Sequence, residues 1–227
     1  YTESGSYSGK NDEGNLVFSH PISVLPNNDG TMWLLSYTMN ELLKIDMNGL
    51  IIERNGGNFN GFDRPMDIIR LHNGNLLVSE FAGDRLSLFN SKGGFIKSFG
   101  EKGRQLGQMV GPQYLAEDSD GNIYVTDFGN SRVDVFDHDG KALFFFGGKT
   151  DGFSGLKGPT GIAIYENIVY VADCLTGAVH RFDVSGNYLG LLCKNKTFKK
   201  PESMKRWGRY LVISDKNKVY SIDSDTG

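Results

Sequence analysis

Four acidic residues recur at nearly even intervals along this 227-residue chain: Glu80, Asp127, Asp173 and Asp215, each closing a short apolar run, with Ser36 in the corresponding place nearest the N-terminus. Carboxylates brought together from separate parts of a chain can hold a divalent cation such as Ca²⁺, or divide the roles of acid and base. A residue type repeated at one place in every unit also serves a plainer purpose. It accepts backbone N–H groups and holds a turn, with Arg85 and Arg132 placed to brace it. Repetition favours the structural role, and the four acids stand beside it as metal-ligand candidates. Large aromatics follow directly after the first three of these positions, at Tyr37, Phe81 and Phe128, with Met66 and Tyr114 nearby, one and two residues after their marker prolines. Side chains of this kind provide much contact area for little lost entropy, which suits a protein, peptide or carbohydrate partner.

Those residues are positioned by an internal repeat. Its clearest copy runs from Gly111 as GPQYLAEDSDGNIYVTDFGNSRVDVFDHDGKALFFFGG, and other copies start near residues 20, 64, 158 and 200. Marker prolines stand at Pro21, Pro65, Pro112, Pro159 and Pro201, spaced 44, 47, 47 and 42 residues apart. Each copy contains up to four short runs of Val, Ile, Leu, Tyr and Phe separated by Asp-Gly, Asn-Gly or Ser-Gly, which is strand and hairpin chemistry. Four antiparallel strands in about 45 residues is the content of a propeller blade. The third copy predicts strands over 113–117, 122–126, 132–137 and 141–146. The expected architecture is all-β: a single β-propeller over residues 1–227 with five blades, or five blades of a six-bladed ring. The span from Pro201 through Gly227 and on from Tyr1 to Pro21 equals 47 residues, the internal spacing, so residues 1–8 are expected to complete the last blade.

Composition removes several other classes. The 30 glycines accompany 12% aromatic and only 22% charged residues, so they mark turns in a folded chain rather than disorder. No uninterrupted apolar run exceeds five residues, far short of the ~18 of a membrane-spanning helix. A net charge of −3 exerts no global pull on nucleic acid. One local exception runs from Lys194 to Arg209, with seven basic residues and a single acid, and it raises an RNA-binding alternative. Strand geometry divides that segment between two faces, which disfavours nucleic acid. The two cysteines, Cys174 and Cys193, fall on strands too far apart in one blade for an unstrained disulfide. His20, His72, His138 and His180 fall at different levels of the repeat and do not assemble a three-His zinc site. The chain starts at Tyr rather than Met and shows no leader, which leaves the compartment open and is compatible with a secreted protein whose leader was removed.

The succession Pro-x-x-[IL]-A, Gly-Asn-[IL]-Tyr-Val-x-Asp and Asn-x-Arg-Val-x-Val-Phe resembles the NHL-repeat family of β-propellers, most closely in GNIYVTDFGNSRVDVF of the third copy. The resemblance implies a rigid ring whose loops differ from blade to blade. It is specific for fold and broad for activity, because the family includes protein-, RNA- and ligand-binding members and is similar to some enzymatic propellers. The expectation is a non-catalytic recognition module without a cofactor, binding a protein, peptide or carbohydrate through Tyr37, Met66, Phe81, Tyr114 and Phe128 on the loop rim. The principal alternative is a hydrolase or lyase using Ca²⁺ or another divalent cation at the channel mouth, with Glu80, Asp127, Asp173 and Asp215 as ligands.

Overall fold

Turn chemistry cuts this chain into strands. In five hairpins an Asp or Asn accepts the backbone N–H groups two and four residues further on. These residues are Asp46, Asn90, Asp118, Asp137 and Asp183, and each satisfies donors that the chain reversal would leave without a partner. Gly121 and Gly140 take φ values of +83° and +77° at these reversals, where a Cβ would be strained.

The computed structural model describes residues 9–10, 14, 17–56, 61–193 and 198–224. Blade one is β1 (Pro21–Pro26), β2 (Met32–Ser36), β3 (Glu41–Ile45) and β4 (Ile51–Asn55); blade two is β5 (Pro65–Arg70), β6 (Leu76–Glu80), β7 (Arg85–Phe89) and β8 (Phe95–Phe99). Two short strands, β9 (Glu101–Lys102) and β10 (Gln108–Met109), pair in parallel within the next inter-blade loop. Blade three is β11 (Pro112–Glu117), β12 (Ile123–Asp127), β13 (Arg132–Phe136) and β14 (Ala142–Phe146); blade four is β15 (Pro159–Tyr165), β16 (Ile168–Asp173), β17 (Ala178–Asp183) and β18 (Tyr188–Leu191). Blade five is β19 (Pro201–Trp207), β20 (Tyr210–Asp215) and β21 (Lys218–Asp223), three-stranded among the described residues. The fourth strand expected from residues 1–8 lies outside them. All five sheets are antiparallel meanders arranged as a five-bladed propeller, every one starting at its marker proline, and the strands of blade three agree with the expected ones to within a residue. Among the described residues there is no helix, and hence none long and apolar enough to cross a membrane.

Hydrophobic surface is buried between blades. Alternate side chains of the central strands point to opposite faces of each sheet, so each interior blade supplies two apolar faces. Trp33, Leu35 and Leu42 of blade one meet Ile68, Leu76 and Val78 of blade two. Leu77, Leu86 and Leu88 meet Leu115, Ile123 and Val125 across the next interface. Tyr124, Val133 and Phe146 meet Val169, Val171 and Phe182, and Tyr170 and Val179 meet Leu211 and Ile213. Full burial of each such side chain contributes about 1.5–3 kcal/mol before entropy is charged against it, so the blades hold one another in place.

The innermost strands β1, β5, β11, β15 and β19 pack in succession and line the axis. Each pairs with its neighbour in a register that shifts just after the proline. A bulge there re-aims the next side chains, a common use of this irregularity near binding sites. In blade four the position two after the proline is Gly161, and a Cβ at that place would stand 2.4 Å from the backbone nitrogen of Met204. Blade five is pressed against blade four at this point, and only glycine leaves it room. Gly161→Ala is therefore expected to lower stability by about 1–3 kcal/mol, read as a drop in Tm, whereas Gly148→Ala, with nothing within 4 Å, leaves Tm unchanged. Equal Tm values for the two variants would contradict this packing.

Candidate binding site on the proline face

The loops that lead into each blade and those that join its second strand to its third emerge on one side, here the proline face. The repeated acids shape that side from below. Glu80, Asp127, Asp173 and Asp215 are all buried at the ends of second strands, and each accepts backbone N–H groups from the loop entering its own blade. Glu80 receives Asp63, Asp127 receives Val110, Asp173 receives Lys157 and Gly158, and Asp215 receives Lys199 and Lys200. Ser36 ties the loop entering blade one, accepting the Ser19 N–H at 3.4 Å and donating its hydroxyl to the Ser19 carbonyl at 2.6 Å. Arg85 grips Glu80 through Nε and a terminal nitrogen at 3.0 and 2.7 Å. Arg132 reaches the carbonyls of Arg104, Gln105 and Gln108 and so anchors the β9–β10 loop. Among the described residues no three His, Cys, Asp or Glu side chains gather as a metal-binding group.

On this base, His20, Pro21, Ile22 and Tyr37 of blade one, Met66 and Phe81 of blade two and Gln113 of blade three form an apolar recess of about 400 Å³. Tyr37 and Phe81 are placed by the same bond, the backbone N–H after the second strand donating to the carbonyl before the proline, at His20 and Arg64. Phe81 lays its ring against Gly111, where an added Cβ would come within 2.8 Å of it. Arg64 is exposed beside the recess, its guanidinium 6.0 Å from the centre of the Tyr37 ring. The structure thus brings together Tyr37, Met66 and Phe81 from the residues singled out by sequence. Phe128 is half-buried in the loop of blade three and is not part of the recess wall. Tyr114 is buried between blades three and four, its hydroxyl bonded to Ser203, and burial with the nearby Asp67 and Glu202 charges pushes its pKa up to about 12.

Beneath the recess lies a polar junction that sequence reasoning passed over. Asp67, with 0% exposure, accepts from Ser23 Oγ at 2.8 Å, from the Leu115 N–H at 3.2 Å and from Lys205 Nζ at 2.8 and 2.9 Å. One carboxylate therefore joins blades one, two, three and five across the axis. Lys205 belongs to the basic run 194–209; in the fold its half-exposed side chain brings the ammonium onto Asp67. Its neighbour Arg206 lies over Tyr165 beside the opposite mouth of the axis, while Lys199 and Lys200 are held on the proline face by Asp215. The basic segment is divided between two faces, and Lys194 and Lys196 lie outside the described residues.

The faces differ in charge. Proline-face loops carry Arg64, Lys102, Arg104, Lys149, Lys157, Lys199, Lys200 and Lys216 against Asp63, Asp84, Glu101 and Asp151 among the described residues. Hairpins on the opposite face carry Asp29, Asp46, Asp118, Asp120, Asp137, Asp139 and Glu166 against Lys92, Lys141 and Arg209.

The fold and its recess define a five-bladed β-propeller with a ligand-sized apolar depression at one end of its axis. Residues 111–136, covering β11 to β13 of blade three, match the NHL repeat. No curated protein matches the chain. Among solved structures it is similar to streptogramin B lyase at 16% identity and a TM-score of 0.68, covering 91% of this chain and 69% of the lyase. It is also similar to a chain of a nidogen/laminin complex at 16% identity and a TM-score of 0.72, covering 93% of this chain and 78% of the other. A catalytically inactive virginiamycin B lyase from Staphylococcus aureus with quinupristin gives 14% identity and a TM-score of 0.56, covering 88% and 83%. At such identities the likeness is one of fold.

The two acids of blade three also make a titrating pair. Asp134 lies on β13 behind Asp127, and Arg132 Nε donates to it at 3.1 Å. Burial raises both carboxyls, Asp134 to about 8, against the lowering pull of Arg132, and the Asp127 charge raises Asp134 further. A carboxyl with a raised folded-state pKa adds stability below its unfolded value near 4, and loses it as pH climbs through the folded value. Tm is accordingly expected to fall between about pH 4 and 8 and to level off above that, with the decline flattened in Asp134→Asn. The same slope in wild type and variant would assign the effect to other groups.

Proposed function

We propose that this chain is a non-catalytic recognition module that binds a protein, peptide or carbohydrate partner in the proline-face recess. The observation that carries this reading is the convergence of Tyr37, Met66 and Phe81, from two blades, with Ile22 and Gln113 into one apolar depression on a rigid scaffold. Aromatic and Met walls offer area with few rotamers to freeze, and blades packed core to core need no rearrangement to present them. The match of residues 111–136 to the NHL repeat, a family that includes protein-binding members, is in keeping with a partner of that kind. Tyr114 is buried between blades three and four and Phe128 is half-buried outside the recess wall, so the reading assigns the contact to Tyr37, Met66 and Phe81.

For a partner isolated with the wild-type chain as bait, Tyr37→Ala and Phe81→Ala are each expected to weaken binding about 30-fold, the ~2 kcal/mol of a binding hot spot. Circular dichroism establishes that the variants fold. Undiminished affinity in folded variants would place the binding surface elsewhere.

The reading includes no metal cofactor. Glu80, Asp127, Asp173 and Asp215 each spend carboxylate oxygens on their own blade's backbone, and an ion would have to displace those N–H donors. Elemental analysis of the purified chain and calorimetric titration with Ca²⁺ and Zn²⁺ are expected to show no stoichiometric ion. One tightly bound equivalent, lost on Asp127→Asn, would favour the hydrolase or lyase alternative.

A further inference from the structure

We infer that the partner of the proline face is an acidic peptide segment that places one large apolar side chain in the recess and its carboxylates on the surrounding cations. The inference rests on the recess being the binding site, and adds the chemistry of what enters it. Three observations lead to it.

First, the acids of the opposite face have a local cause and the cations of the proline face do not. Asp46, Asp118 and Asp137 are held in place by the N–H groups of their own hairpins, so turn formation alone accounts for them. Inter-blade loops make no corresponding demand for Lys or Arg. Of the eight cations there, Arg64, Arg104, Lys149, Lys157, Lys199 and Lys216 form no ion pair with a carboxylate among the described residues. Unpaired charge of one sign around a depression attracts and orients a partner of the other sign.

Second, charge and apolar surface meet at one place. Arg64 is exposed, lies over Tyr37 at the recess edge, and is fixed by the bond from its N–H to the Asn40 side chain at 2.9 Å. An anchor seated against Met66 and Phe81 would bring a neighbouring Asp or Glu of the same peptide within reach of that guanidinium, which binds carboxylates in a fixed fork.

Third, the recess is suited to a side chain rather than to stacked bases. Base stacking needs open aromatic faces. The Phe81 ring is packed on Gly111, the Tyr37 ring has Arg64 over it, the His20 ring is tied to the Thr38 hydroxyl, and the remaining walls are Pro21, Ile22, Met66 and Gln113. A cavity of about 400 Å³ walled this way accommodates Leu, Met, Phe or Trp with part of its backbone.

The test is selection of a phage-displayed random dodecapeptide library on the folded wild-type chain. Enriched peptides are then titrated by fluorescence anisotropy against wild type, Arg64→Glu, Arg64→Gln and Met66→Asp, at low and high salt, beside a random dodecanucleotide RNA. Circular dichroism checks each variant, and the two Arg64 variants back one another should one misfold. Expected are peptides of net negative charge with one large apolar residue, weakened about 10-fold or more by Arg64→Glu, less by Arg64→Gln, strongly by Met66→Asp, and by added salt. Enriched peptides without acidic bias that still depend on Met66 would overturn the charge inference and leave the recess as the binding site. Failure to enrich any Met66-dependent peptide would overturn both readings. RNA binding that exceeds peptide binding and is lost in Arg64→Glu would assign the face to nucleic acid instead.

Discussion

The buried acceptor at the end of each second strand is the constraint on which the rest of this propeller depends. A blade must begin at the axis, and the loop that delivers the chain there carries backbone N–H groups that no strand can satisfy. Glu80, Asp127, Asp173 and Asp215 receive them, and Ser36 ties the first blade in a related way. A carboxylate bonded to N–H donors is a stronger tie than a neutral pair, and an unsatisfied buried amide would cost about 1–3 kcal/mol. The tie sets where each proline sits, the proline precedes the bulge, and the bulge aims the next side chains at the axis and the recess. A position that looks catalytic by type is thereby explained by what it holds.

Variation between blades is where individuality enters. Behind the repeated acid, the equivalent third-strand position is Ser87 in blade two, Asp134 in blade three and His180 in blade four. Ser87 donates to Glu80 at 2.5 Å, Asp134 shares Arg132 with Asp127, and His180 packs against Phe153 at 5.2 Å, its pKa lowered by burial with Asp173 opposing. One backbone plan thus hosts three electrostatic solutions. At the axis the five positions two after the proline are Ser23, Asp67, Tyr114, Gly161 and Ser203. Their differences make an asymmetric interior in which one carboxylate collects donors from several blades.

Much of the scaffold was legible in the chain itself. Prolines at 42- to 47-residue spacing, glycine-bearing hairpins and short runs of Val, Ile, Leu, Tyr and Phe located the strands of blade three to within a residue, because turn chemistry and strand alternation act over a few neighbours. The structural role of the four acids also followed from their repetition. Tyr37, Met66 and Phe81 were visible as large residues at loop positions, yet their grouping without Phe128 and Tyr114 was not. Blade-to-blade packing draws Tyr114 into the core, and the loop of blade three carries Phe128 away from the recess. Nor could spacing show that Lys205 pairs with Asp67 across 138 positions, since that contact exists only once the sheets are arranged around an axis.

The sequence by itself determined the unit: its length, its strand order, its turns, and which side of the ring receives the loops. Those properties are set by φ preferences, hydrogen-bond geometry and side-chain alternation, all of them local. Only the tertiary structure decided which side chains share a space. The depth of the recess, the burial of Asp67 and the close approach that excludes a Cβ at Gly161 depend on how five sheets pack, and packing is settled by the shapes of residues far apart in the chain. The contrast in charge between the two faces belongs to both. Its residues were countable in sequence, but it became a property of surfaces only when alternate loops emerged on opposite sides.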